Sequence, residues 1–127
     1  MKVENIKFKA KKTLDGKWIK GDLVHHKDSD NVWITDYENQ LTSPVNPSTV
    51  CQFTGMKDCK GNELYEHDVI KNYPFLPSEI VWSEELSGYY LTHDNGKIYE
   101  KPLGYYLSLG KFIVVGNTYE NTNRIER

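Results

Sequence analysis

Apolar and polar residues alternate where the chain opens: Ile6, Phe8 and Ala10 are separated by Lys7, Lys9 and Lys11. A period of two puts each set on its own face, so the pattern predicts a strand with one apolar and one lysine face. Asp15-Gly16 is a two-residue hairpin signal, and Lys17-Trp18-Ile19-Lys20 through His25 reads as the return strand. Val32-Trp33-Ile34-Thr35 predicts another strand. Residues 37–48 are polar and hold Pro44 and Pro47, which reads as a connector between two lobes.

The second half is punctuated in the same way. Val50 to Thr54 has strand composition, Lys57 to Asn62 is a polar turn in which Gly61 can take positive φ, and His67-Asp68 leads into a strand at Val69-Ile70-Lys71. The Asp before a strand is suited to capping nearby backbone N–H groups. Pro74 and Pro77 make 72–78 a loop. Glu79 to Trp82, Gly88 to Thr92 and Lys97 to Tyr99 predict a three-stranded meander. Pro102 to Leu109 is the one place for a short helix or 3₁₀ turn, Lys111 to Val115 reads as a central last strand, and Thr118 to Arg127 as a polar tail. No stretch keeps a 3.6-residue period over a dozen residues. The expected fold is therefore mainly β with little helix: an N-terminal β-hairpin lobe over 1–43, and a small antiparallel SH3-like barrel over 49–120.

Composition narrows the class. The 127 residues suit one domain and need no disulfide or metal to fold. A formal net charge of −2 argues against a general nucleic-acid or anionic-membrane binder, which would be basic overall. The exception is local: lysines crowd the first twenty residues, and Lys7, Lys9, Lys11 and Lys17 are a candidate phosphate-contacting face, although a solvated face that protects a sheet edge explains them as well. No apolar run approaches a membrane span, and the amino terminus lacks the apolar core of a signal peptide. The expectation is a cytoplasmic protein in which Cys51 and Cys59 are free thiols.

No chemistry-bearing constellation emerges. Cys51, Cys59 and His67 lie eight residues apart, without the close ligand pairs of zinc sites, and His25, His26 and His93 are elsewhere. Neither cysteine has a local nucleophile signature, Glu63, Glu66 and Asp68 read as a charged turn, and Gly104 and Gly110 lack the spacing of a phosphate loop. No metal, cofactor or enzymatic activity is expected. Aromatic residues are the remaining resource: Trp33, Trp82, Tyr89, Tyr105 and Tyr119 are candidates for a binding patch, since small β folds recognise peptides and single strands through such side chains.

The run Thr49-Val50-Cys51-Gln52-Phe53-Thr54-Gly55-Met56-Lys57-Asp58, followed by Lys60-Gly61-Asn62-Glu63-Leu64-Tyr65-Glu66-His67-Asp68-Val69-Ile70, resembles the central motif of the YopX family. Ile80-Val81-Trp82, Gly88-Tyr89-Tyr90-Leu91 and Val114-Val115-Gly116-Asn117-Thr118-Tyr119-Glu120-Asn121 fit the same pattern, as do Ile6 to Ala10 and Lys17 to Leu23. Two positions depart from it: His67 and Cys51 stand where the pattern has Gly. The resemblance implies one YopX-like domain over 1–127, a β-rich fold with an SH3-like barrel component, and an origin in phages and prophages of mainly Gram-positive bacteria. It implies no reaction and no site residues. The function expected is a phage-encoded, non-enzymatic module that binds a protein partner or itself. The alternative is a nucleic-acid-associated accessory protein that uses the lysine face. Membrane association is not expected.

Overall fold

The structure, a computed structural model, describes residues 1–72 and 76–120. Strands account for 45% and helix for 11%, so the protein is mainly β, built on two antiparallel sheets. By contact density the chain divides into two compact units, Met1–Phe53 and Thr54–Arg127.

In the first unit, β1 (Phe8–Lys11), β2 (Trp18–His25), β3 (Val32–Asp36), β4 (Thr42–Val45) and the start of β5 (Cys51–Lys57) lie in the order β4-β3-β2-β1-β5. The β1–β2 register pairs Phe8 with Gly21 and Ala10 with Ile19, and on the other face Lys9 with Lys20 and Lys11 with Trp18. Ala10, Ile19, Ile34 and Val45 form the core, with Phe8, Leu23, Val32 and Val50 packed on it. The predicted apolar face is thus the buried one, while Ile6 lies outside β1 and is exposed. The sheet curls until the end of β1 meets β4: Lys12 bridges Val45, Thr13 N–H donates to the Pro44 carbonyl (3.1 Å) and Asn46 N–H to that of Lys11 (2.9 Å). Gly21 permits the close β2–β3 approach, because a Cβ there would run into the Thr35 carbonyl oxygen.

Two expectations change here. The Asp15-Gly16 hairpin is wider than two residues: Lys12 N–H donates to the Lys17 carbonyl and Gly16 N–H to that of Lys12, with Gly16 at φ 72°. The shift in register is two residues, so each side chain keeps its face. Residues 37–48 are not a mere connector, since β4 lies within them. Pro44 is tolerated because its carbonyl, and so its nitrogen, faces away from β3 toward Thr13, where the missing N–H takes nothing from the β3–β4 ladder.

In the second unit, the rest of β5 lies beside β6 (Glu63–Tyr65), and β7 (Asp68–Lys71), β8 (Ser78–Ser83), β9 (Gly88–Leu91) and β10 (Ile113–Asn117) form a sheet in the order β10-β7-β8-β9. Leu64, Ile70, Ile80, Leu91 and Leu103 are its fully buried core. The short helix α1 (Leu103–Leu109) forms where the sequence allows one. Leu103, Tyr106 and Leu107, at helical spacing, are the residues it lays on that core.

The SH3-like barrel expected here is replaced by an open sheet, with no closed barrel. The physical reason lies in the segment after β9. The third meander strand shrinks to a single bridge, Thr92 to Ile98, and Pro102 then starts α1. A helix that supplies Leu103 to the core buries the sheet's apolar face without strand closure. β10, read as central, is terminal in the strand order and half-buried, with a bulge between Val114 and Gly116. The loop expected over 72–78 and the tail over 118–127 fall partly on 73–75 and 121–127, which lie outside the described residues.

Candidate functional site

The stretch most dense in polar side chains, 58–68, is occupied by structural work. The buried Asp58 carboxylate accepts the backbone N–H groups of Lys60 (2.9 Å), Asn62 (2.8 Å) and Val114 (3.0 Å) and the Asn62 side-chain amide (3.0 Å). Burial pushes its pKa up, yet the bonds from Val114, Asn62 and Lys60 outweigh burial and hold it below the ordinary carboxylate value. Asp68 Oδ2 accepts Tyr65 N–H at 2.8 Å, the capping role expected of an Asp before a strand.

Between these turns stands His67, at φ 72°. Its Nδ1 lies 2.7 Å from Glu79 Oε2 and its Nε2 3.7 Å from Glu66 Oε2, and Tyr119 meets the ring edge-on at 5.6 Å. The Glu79 hydrogen bond raises the imidazole pKa, burial opposes it, and the charges of Glu66, Glu79 and Asp68 add to the rise. Cys51 is buried, its Sγ donating to the Thr49 carbonyl, whereas Cys59 is an exposed free thiol. Among the described residues no three His, Cys, Asp or Glu side chains are placed to hold a metal ion.

The candidate aromatic residues fall into separate places. Trp33 belongs to the first unit, edge-on to His26 at 5.4 Å. In the second unit, Trp82 and Tyr89 are direct cross-strand partners with rings 5.0 Å apart. Tyr105 joins a different chain of rings: it meets Tyr106, Tyr106 meets Tyr99, and Tyr99 stacks on His93 at 4.1 Å and 11°. Tyr119 lies against His67 instead. A shallow apolar recess of about 240 Å³ is lined by Asn72, Tyr106, Leu109, Gly110 and Phe112.

The pair Trp82–Tyr89 differs from the other aromatics in where it sits. Ile80 pairs with Leu91 and both are fully buried; Trp82 and Tyr89 follow two residues on, on the same face. Tyr89 is half-buried and packs on the core, and Trp82 against it carries the apolar face of the hairpin outward, 39% exposed, with Leu86, in the connecting turn, 51% exposed.

On the first unit, Lys9 and Lys11 both place Nζ over the Trp18 ring, at 4.9 and 5.5 Å, and Lys7 Nζ sits over Phe53 at 4.8 Å. Lys17 pairs with Lys12 across the turn and so has the opposite parity, away from this row. Trp18 and Phe53 went unmarked by sequence reasoning. The hairpin signal put Trp18 on the lysine face, since a two-residue shift keeps parity, but its pairing with Lys11 follows from the observed register; Phe53 depends on a pairing between β1 and β5, distant in sequence.

A family model described as YopX protein matches residues 7–126, nearly the whole chain. The chain belongs to the YopX family. The YopX match runs from just before β1 to residue 126, so both the lysine row and the Trp82–Tyr89 hairpin lie within it. His67 takes a left-handed backbone, φ 72°, a conformation that Gly adopts without a steric cost. No curated protein matches the chain. No helix among the described residues is long and apolar enough to cross a membrane.

Proposed function

We propose that this YopX-family chain is a non-enzymatic protein-interaction module, made by a phage or prophage and acting in the cytoplasm of its bacterial host, and that it contacts its partner through the Trp82–Tyr89 hairpin. The observation that carries the reading is the continuation of a buried apolar face into solvent by two packed aromatic rings. Rings already locked edge-to-face lose little side-chain freedom on binding, and Trp and Tyr dominate the energetics of protein contacts. The reading of the polar residues supports a scaffold: Asp58, Asp68 and His67 each serve a turn or a strand end. The partner is a protein presenting apolar side chains, or a second copy of the chain.

A photo-crosslinking residue in place of Leu86, exposed in the turn that joins β8 and β9, tests this in the producing cell. A discrete protein adduct that disappears when Trp82→Ala is added is the expected result, and sedimentation velocity tells a second copy from another protein. A Leu86 position that yields no adduct, with purified protein monomeric at about 100 µM, would overturn the proposal; an interface driven by such contacts commonly saturates well below that concentration.

A further inference from the structure

Resting on the hairpin reading above and deepening it, we propose that the partner of the Trp82–Tyr89 hairpin is a different protein, whose docking surface sets Lys or Arg side chains around an apolar one. Between Lys71 and Lys97 the chain holds no Lys or Arg, and its carboxylates there are Glu79, Glu84, Glu85 and Asp94. Glu79 is committed to His67. Glu84 and Glu85 are exposed, and among the described residues neither side chain has an ion pair or a hydrogen bond. They stand in the loop that Trp82 leads into. Ser83 pairs with Gly88 at the end of the β8–β9 ladder, Ser83 Oγ accepts Leu86 N–H at 3.1 Å and Ser87 takes φ 52°, so the loop between has a set shape. Two or three residues of chain span at most about 7 to 11 Å, on the order of the screening length of about 8 Å at physiological salt. Apolar surface and negative charge therefore act on the same partner.

Stable interfaces have an apolar centre and a polar rim. Here Trp82, with Leu86 beyond it in the loop, supplies the apolar part, and the carboxylates choose among the surfaces able to receive it. Like charge across a rim penalises a wrong partner, and opposite charge speeds encounter with the right one. The same carboxylates disfavour a second copy of the chain. A two-fold dimer about this hairpin sets the same patch on both sides, and brings Glu84 and Glu85 up to their counterparts with no cation from the hairpin to separate them. Polyanions are repelled for the same reason. A basic protein surface is the occupant that satisfies the apolar and the charged parts together.

The test is fluorescence anisotropy of the full chain with two labelled probe peptides of equal length, one alternating Leu with Lys and one alternating Leu with Gln. The Leu-Lys peptide is expected to bind about 3- to 10-fold more tightly, the worth of two rim ion pairs, with an advantage that shrinks as salt rises from roughly 50 to 500 mM. Glu84→Gln/Glu85→Gln should remove that advantage, mainly through slower association, with an unchanged melting temperature showing that the fold is intact. Glu4→Gln/Glu38→Gln, which takes the same charge from the first unit, should leave it in place. Trp82→Ala should weaken both peptides by about 10-fold or more. A Leu-Lys peptide that binds no more tightly than the Leu-Gln peptide, an advantage that survives in the Glu84/Glu85 variant, or an equal loss in the Glu4/Glu38 variant overturns the proposal and leaves the hairpin reading standing. So does a second copy of the chain in the Leu86 crosslink. Affinities unmoved by Trp82→Ala overturn the hairpin reading itself, and this partner with it.

Discussion

His67 shows how a single residue can pull in two directions. A non-glycine side chain at φ 72° costs about 1 kcal/mol relative to Gly, and the contacts with Glu79 and Glu66 offset that cost. Because the folded pKa is raised above the ordinary 6.5, the stabilisation is complete below that pH and is lost as pH rises through the folded value. The stability advantage of the native chain over Glu79→Gln is therefore expected to be larger at about pH 6 than at about pH 8.5, by urea denaturation at each pH. His67→Gly relieves the backbone strain but loses the bond to Glu79 and the ring contact with Tyr119, so its stability relative to the native chain is expected to improve from about pH 6 to about pH 8.5, where the charge-dependent part of that bond is gone. An equal Glu79→Gln difference at both pH values would show that the imidazole carries no charge-dependent load. Nothing local in the sequence announces this cluster: Glu66 adjoins His67, but Glu79 arrives through the β7–β8 pairing.

At the scale of elements, turns do more than reverse the chain. The 58–62 turn is closed by Asp58, but the same carboxylate also accepts Val114 N–H, at a sequence separation of 56 residues. That bond lies beside the β10 bulge, where the ladder to β7 is interrupted. Asp58→Ala strands several N–H donors near the core and is expected to cost about 2–4 kcal/mol, read from the urea midpoint. In hydrogen exchange, the amides of β10 and the 58–62 turn should lose protection first. A variant that loses under about 0.5 kcal/mol would place the turn's stability in Gly61 and Asn62 instead. The local half of this arrangement was legible, since Asp58 to Asn62 reads as a turn from its composition. The reach to β10 was not, because hydrogen bonding between distant segments leaves no periodic trace. The same distinction explains β4 and the third meander strand: Thr42–Val45 has weak strand composition and is recruited by β3, whereas Lys97–Tyr99 has better composition and makes one bridge.

At the scale of the whole molecule, each unit carries its own core and its own candidate surface. Gly21 is the position on which the close approach of β2 and β3 depends. Gly21→Ala forces a Cβ against the Thr35 carbonyl and is expected to destabilise by about 1–3 kcal/mol or more. The check is native-state hydrogen exchange, with the largest gains in exchange rate at the β2 and β3 amides; unaltered exchange there would mean that the backbone absorbs the methyl group.

Alternation by itself determined which residues of β1 face inward, because side-chain direction along a strand is fixed by covalent geometry and one face must leave water. It also determined the strand-rich class, the turns at Gly16 and Gly61 and the single helix. Only the tertiary structure decided that the second sheet stays open, that α1 covers its core, and that Trp82 finds Tyr89 while Lys9 and Lys11 share Trp18. Those outcomes depend on which strands become neighbours, a choice made by the summed burial of segments far apart in the chain rather than by the preference of any one of them.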